Sequence, residues 1–300
     1  MKIGDYRLEI IPDTEFRLDG GAMFGVVPRV LWERVSPPDE LNRIRMNMNC
    51  VFVDTGTEKI LIETGIGEKW TENETRMYGI LREKPLAETL LERTGCTPDD
   101  ITIVVNTHLH FDHAGGNTIL DPQPSLSPRS STATPVKDRR PNETSIQFIP
   151  QFKNARYFVS RSELEHARDP HERDRASYLP ENWEPIIASG QLELKPDDYE
   201  VVAGLQMRTI RGHSQSMQTW RLDHGGRTIY GFADLIPTHH HLALPWIMGY
   251  DLYPTETLEF KKRVLPEAIN EKWLCLFYHN LEAPLRTITE IDGKITSIDS

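Results

Sequence analysis

The sequence predicts an α/β fold with a metal site along its strand ends, and three observations predict it. Short β-branched apolar runs, of which Ile101-Thr-Ile-Val-Val105 is the clearest, read as buried strands. Segments with helical spacing separate them, such as Leu86, Leu90 and Leu91 ahead of Gly95, a C-terminal cap. Side chains able to ligate a metal stand where several of the strands stop.

Residues 1–12 are expected to form an edge strand. Asp19 to Trp32 mixes glycines with apolar residues and has neither helix nor strand periodicity. It is either a surface turn packing Phe24 and Trp32 into the core or a loop lining a substrate pocket. Met46–Val53 and Lys59–Ile62 are strands joined by the turn Asp54-Thr-Gly-Thr57. Pro85–Thr94 is a helix. Residues 121–146 are rich in Pro, Ser and Thr and poor in apolar side chains, so they read as an insertion, a mobile surface loop or a lid.

Arg156–Val159 is a short strand. Ser160-Arg-Ser-Glu163 then reads as a capping box opening a helix, with His166 and His171 facing solvent. Leu222–Arg227 is a hairpin turn that exposes His224. Thr255–Val264 is a helix with Glu259 and Arg263 one turn apart, ended or kinked by Pro266.

A chain of 300 residues suits one large domain or two small ones. We read residues 1–300 as one, because ligands spread from His108 to His279 must converge. The net charge of −11 argues against a nucleic-acid partner, since phosphate binding relies on basic patches. Cys50, Cys96 and Cys275 are few, odd in number and far apart, which suggests a reducing compartment. No apolar run reaches about 18 residues, so no membrane span is expected. The first residues lack the apolar core of a signal peptide, which leaves the cytoplasm as the default location. A homodimer stays open.

The most informative segment is Thr107-His-Leu-His-Phe-Asp-His-Ala-Gly-Gly116. His108, His110, Asp112 and His113 fall within six positions, at the end of the 101–105 strand. Neutral imidazole nitrogen and carboxylate oxygen suit zinc, iron, cobalt and manganese. Gly115 and Gly116 permit the close backbone path a crowded site needs. The bland alternatives are a polar loop with chance histidines, or an alternating strand face for His108 and His110. Three later segments each end a strand in a further ligand: Met207–His213 after a Gly-His turn, Thr228–Asp234 in a carboxylate, and Trp273–His279 in a histidine. Ligands spread over several strand ends build one site on a rigid scaffold.

His-x-His-x-Asp-His, then Gly-His, then Asp, then a strand-end His resembles the ordered ligand set of the metallo-β-lactamase-fold hydrolases, from about Asn47 to His279. The resemblance implies a four-layer αββα sandwich with the site at the strand ends on one edge. It implies two divalent transition-metal ions, zinc first, with iron, cobalt or manganese as alternatives. By position, His108, His110 and His213 would hold one metal, Asp112, His113 and His279 the other, and Asp234 would bridge both. Two cations lower the pKa of bound water from about 16 to roughly 7, giving a hydroxide nucleophile. Asp112 would also carry a proton to the leaving group. Glu63 stands where the family usually has a one-methylene-shorter Asp behind the metal histidines.

Within the superfamily the residues narrow the chemistry. β-Lactamases often place Cys in the second site and lack the bridging Asp, whereas diiron oxygen reductases carry Glu where His110 stands. Glyoxalase-II-like thioesterases usually add a helical C-terminal domain, and only a short tail follows His279. The Asp19–Gly25 and Asp234–Thr238 segments resemble the branch of N-acyl homoserine lactonases and phosphotriester hydrolases. The expectation is a hydrolase of small molecules that opens a lactone or related ester. A phosphotriester hydrolase is the runner-up; a thioesterase or mononuclear-iron persulfide dioxygenase comes after it. A binding protein on the same fold is the non-enzyme alternative. Met23, Phe24 and His241 are candidate substrate contacts, His241 because it precedes the apolar run Leu242–Met248.

Overall fold

A computed structural model describes residues 1–122 and 147–299, and its frame is two seven-stranded sheets. The first orders β1 (Lys2–Ile3), β2 (Tyr6–Asp19), β3 (Arg43–Asp54), β4 (Lys59–Ile62), β5 (Ile103–Val105), β8 (Arg156–Ser160) and β9 (Leu192–Lys195). The intervening β6 (Thr118–Leu120) and β7 (Phe148–Pro150) pair as a separate ribbon. The second sheet runs in chain order through β10 (Asp198–Val202), β11 (Leu205–Thr209), β12 (Gln218–His224), β13 (Arg227–Gly231), β14 (Leu274–Leu276), β15 (Leu285–Ile291) and β16 (Lys294–Asp299). Both sheets are mixed: β4, β5, β8 and β9 are parallel neighbours in the first, and β13 and β14 in the second.

Side-chain alternation explains why the centre of the first sheet, over residues 50–53, 60–62 and 103–105, is apolar throughout. Val51, Val53, Ile60, Ile62, Ile103 and Val105 face the core between the sheets. Cys50, Phe52, Leu61 and Val104 point the other way, into a second apolar layer with Leu86, Leu90 and Ile186. A strand buried on both faces has no room for polar residues. The outer layers follow, with α4 (Leu86–Thr94) on the first sheet and α8 (Pro254–Asn270) bringing Phe260, Val264, Leu265 and Ala268 into the inter-sheet core cluster. This is the α/β four-layer sandwich the sequence implied.

Several expectations hold in detail. The hairpin between β3 and β4 forms, with Gly56 N donating to Asp54 Oδ1 over 2.8 Å and Gly56 at φ 87°. Gly95 caps α4 at φ 79°. The three cysteines are buried and free. No helix among the described residues is long and apolar enough to cross a membrane.

Others are corrected. Residues 19–32 pack Phe24 and Trp32 into the core, as one of the two readings expected, but they do so on two short helices that the sequence did not show, α1 (Gly20–Phe24) and α2 (Arg29–Trp32). Asp19 caps α1 by accepting from Ala22 N, and their interiors bury Met23, Phe24 and Trp32. The edge strand expected over residues 1–12 forms as β1 and the start of β2: β1 pairs only with Tyr6 and Arg7, and the rest of β2, which runs on to Asp19, pairs with β3 alone. Leu91 faces solvent at 47% exposure, while Leu86 and Leu90 bury. Pro266 does not end α8, which runs on to Asn270. Burial of Val264, Leu265 and Ala268 against the sheet outweighs the roughly 3 kcal/mol that an interior proline costs. Glu259 pairs with Lys262 at 2.7 Å rather than with Arg263. His224 is half-buried, stacked on Tyr6 with ring centres 3.8 Å apart. The insertion read at 121–146 falls almost wholly outside the described residues.

Candidate metal centre

The seven ligand candidates converge at one end of the inter-sheet core, each no more than 6% exposed. The first sheet supplies four. β5 ends, the chain turns through Thr107, and His110 becomes the N-cap of α5 (Phe111–Ala114), which carries Asp112 and His113. The second sheet supplies three, each just past a strand: His213 after β11, Asp234 after β13 and His279 after β14. Asp234 sits in a one-turn 3-10 helix beside Ala233, which has φ 47°.

Two donor groups emerge, His108 with His110 and His213, and Asp112 with His113, Asp234 and His279. Within each, the ligand atoms lie within 4.8 Å of one another. Asp234 also reaches the first group. Its Oδ1 is 3.1 Å from both His113 Nε2 and His279 Nε2, and its Oδ2 is 3.6 Å from His213 Nε2. Asp112 Oδ2 lies 3.6 Å from His279 Nε2 and 3.9 Å from His113 Nε2.

The outer ring nitrogens show what the inner ones are for. His279 Nδ1 is 3.0 Å from Asn47 O, and a carbonyl only accepts, so Nδ1 carries the proton. His213 Nδ1 likewise faces Asp251 Oδ1 at 3.1 Å, and Thr257 Oγ1 fixes that carboxylate over 2.6 Å. Whenever either ring is neutral, its Nε2 lone pair therefore points into the site. His213 Nε2 stands 3.1 Å from His110 Nδ1. Lone pairs at that separation repel unless a proton or a metal cation lies between them. His108 Nε2 and both nitrogens of His113 are buried without a well-aligned hydrogen bond, which costs about 1–3 kcal/mol for each group left unsatisfied. A buried, anion-containing set of imidazole donors fits two divalent transition metals, with the outer partners fixing ring orientation.

The electrostatics agree. Burial, reinforced by neighbouring histidines, pushes His108 and His110 well below the usual imidazole value, so they are neutral and ready to ligate. Burial opposes charge on His113 and His279 as well, but Asp234 and Asp112 outweigh it and hold both raised. Burial disfavours an ionised Asp234, yet His279 and His113 keep its carboxyl well below the ordinary range.

Glu63 could be grouped with His108 and His113 as a further donor set. Its bonding argues for a supporting place instead. Its Oε1 accepts from Thr107 N at 3.0 Å and lies 3.4 Å from the outer His113 Nδ1, and Oε2 takes Asn106 Nδ2 at 3.4 Å. Its backbone is left-handed, φ 64°.

Met23, Phe24 and His241 are also brought together. Phe24 and His241 stack at 4.6 Å with ring planes 4° apart. His241 Nε2 is 2.9 Å from Met23 O and its Nδ1 2.7 Å from Thr238 Oγ1. His241 is therefore fully buried with both nitrogens engaged. It ties α1 to the segment after Asp234.

The helix after β8 departs from expectation. Ser160 Oγ does accept from Glu163 N at 3.1 Å, opening α6 (Arg161–Arg168), but Glu163 does not complete a capping box. Its carboxylate turns inward to Leu109 N (2.7 Å), Ser216 Oγ (2.6 Å) and Tyr178 OH (3.2 Å). His166, expected in solvent, has an 8% exposed side chain and meets Asp174 Oδ2 at 2.7 Å. His171 is exposed as expected. In the sequence Glu163 stands only as the end of a capping box and Asp251 is not singled out, because the partners that matter, Leu109 and Ser216 for one and His213 for the other, lie far along the chain.

Similarity to known proteins follows the same lines. A family model of the metallo-beta-lactamase superfamily matches residues 44–131. An N-acyl homoserine lactonase of Bacillus thuringiensis is 26% identical over 245 residues, 78% of this chain and 81% of its own. The crystal structure of a probable metal-dependent hydrolase from Staphylococcus aureus superposes with TM-score 0.83 at 28% identity, covering 100% of this chain and 99% of the other. The dizinc quorum-quenching lactonase AidC, in complex with a product N-hexanoyl-L-homoserine, has TM-score 0.74 at 18% identity over 100% and 96% of the two chains.

Proposed function

We propose that this chain, which belongs to the metallo-β-lactamase superfamily, is a metal-dependent hydrolase that opens a lactone or a related carboxylic ester. The observation that carries the reading is the pair of donor groups sharing Asp234, with imidazole nitrogens aimed inward. The lactone preference draws on curated N-acyl homoserine lactonases of Bacillus, 24% and 26% identical over 80% and 78% of this chain. Zinc is the first choice of metal by likeness to the dizinc lactonase, with iron, cobalt and manganese suited to the same nitrogen and oxygen donors. Residues 1–300 are taken as one domain, since each donor group draws on both sheets.

Two divalent cations, when bound, acidify water to a pKa of roughly 7 and polarise an ester carbonyl. The protein's own residues do the rest. Asp234 offers one oxygen to each group, which fixes their separation. Asp112 is assigned the proton: it accepts one from the attacking water and returns it to the ring oxygen as the acyl carbon–oxygen bond breaks. Water and lactone thus become a hydroxy acid, with every proton accounted for. Met23, Phe24 and His241 are assigned to the substrate side as a packed wall that holds α1 in place. His241 lies within electrostatic reach of His279.

The test is metal analysis of the purified protein together with a panel of an N-acyl homoserine lactone, an aryl phosphotriester, a thioester and a β-lactam. Lactone turnover that exceeds the others and disappears on chelation supports the reading. Preferred turnover of the phosphotriester or thioester would replace it.

A further inference from the structure

The buried carboxylate of Glu163 has no part in the chemistry just described. It lies on α6, outside both donor groups, and only 1% of it is exposed. Its three contacts are unusual in where they lead. Leu109 N, at 2.7 Å from Oε1, is the peptide between His108 and His110. Ser216 Oγ, at 2.6 Å from Oε2, belongs to the turn that begins with His213. Tyr178 OH, at 3.2 Å from Oε1, is on the ring packed edge-on against His110 at 4.6 Å.

His108, His110 and His213 are all the members of the first donor group, and they come from different sheets. One carboxylate therefore clasps both of the loops that must meet to form it. We propose that Glu163 is a positioning residue that sets the spacing of the first metal group. It acts through the backbone of the 108–110 loop and the hydroxyl of Ser216, and touches neither metal nor substrate. This rests on the dimetal reading of the site.

The clasp predicts a pattern among variants. Glu163→Gln keeps it, because the amide oxygen can accept from Leu109 N while the amide nitrogen donates to Ser216 Oγ, which can turn to accept. Glu163→Ala removes both arms and leaves Leu109 N buried without an acceptor. Ser216→Ala removes only the arm to the His213 loop. Outer partners of metal ligands are worth about 10–100-fold in metal affinity.

The experiment is stepwise zinc titration of the chelator-stripped full chain, with a chromophoric competitor, alongside thermal melts of the metal-free form. Glu163→Ala is expected to weaken one binding step by about 10–100-fold and to leave the other near wild type. Ser216→Ala should weaken the same step by less, and Glu163→Gln should restore it. Equal loss at both steps, tracking the drop in metal-free melting temperature, would mean a role in folding alone and overturn the proposal. Unchanged zinc affinity in both Glu163→Ala and Ser216→Ala would also overturn it. Zinc binding is read without any substrate. A chain that binds two zinc ions and opens no lactone would therefore defeat the proposed substrate and leave this inference standing.

Discussion

Alanine at Gly116 probes how tightly the metal loop is seated. A Cβ there would lie 2.1 Å from Thr64 O, where ordinary contact begins at 3.4 Å. The two backbones must then part by about 1.3 Å, since neither side of the contact is a flexible side chain. The separation cannot stay local. Thr64 N donates to His113 O over 2.9 Å, Thr64 Oγ1 donates to Asn117 Oδ1 over 3.0 Å, and neighbouring Glu63 holds its carboxylate at His113 Nδ1. His113 belongs to the second donor group. Metal–ligand distances tolerate only about 0.2 Å of error, several times less than the required shift. The second metal of the Gly116→Ala protein should therefore bind at least ~100-fold more weakly, and hydrolysis should fall by about the same factor. Overpacking should also cost about 1–3 kcal/mol of stability. Competitive metal titration, hydrolysis kinetics and denaturant melts measure the three effects. A Gly116→Ala protein that binds two metals with wild-type affinity would refute the argument that this backbone contact sets His113.

Further outcomes are expected. Asp234→Asn should lower occupancy of both metals and reduce hydrolysis by orders of magnitude with the fold intact, whereas Asp112→Asn should weaken only one; equal and small effects on metal content would contradict the bridging role. Chelation should remove close to two transition-metal equivalents per chain, and a single equivalent at saturation in elemental analysis would sink the binuclear reading. For His213 and His279, the contribution to metal-free stability and the contribution to metal affinity should respond to pH in opposite directions. In the metal-free chain burial works against protonated His213 and His279, but Asp251 and Asp234 outweigh it and raise both above the ordinary 6.5. Their contribution to stability is then fully present below pH 6.5 and is lost as pH rises through the folded-state values. Metal binding displaces those protons, so metal affinity should instead rise with pH. The difference in denaturation between the metal-free chain and its His213→Gln variant at pH 5.5 and 8 checks the first half, and metal titration at the same pH values the second.

What could be read from the sequence was whatever is encoded locally. The apolar run 101–105, the His-x-His-x-Asp-His loop and the three strand-end ligands each declare themselves within ten residues, and the structure brings all seven ligands together. What could not be read depends on contacts between distant segments. Ser160 and Glu163 have the spacing of a capping box, yet the pull of Leu109 N and Ser216 Oγ turns the glutamate inward. Asp251 looks like any loop aspartate until His213 and Thr257 close on it. Pro266 obeys its local rule until a buried helix face overrides it. His241 draws attention in the sequence because it precedes the apolar run Leu242–Met248, whereas its stacking on Phe24 joins segments far apart in the chain.

The ligands divide by origin. His108, His110, Asp112 and His113 follow a strand of the first sheet, and His213, Asp234 and His279 follow strands of the second. Neither half of the chain, as parted between Lys195 and Asp198, carries a complete donor set for either cation. On the proposed reading each ion would be a rivet through the seam, drawing donors from both halves of the chain. Neither complete donor set exists until the two halves have docked.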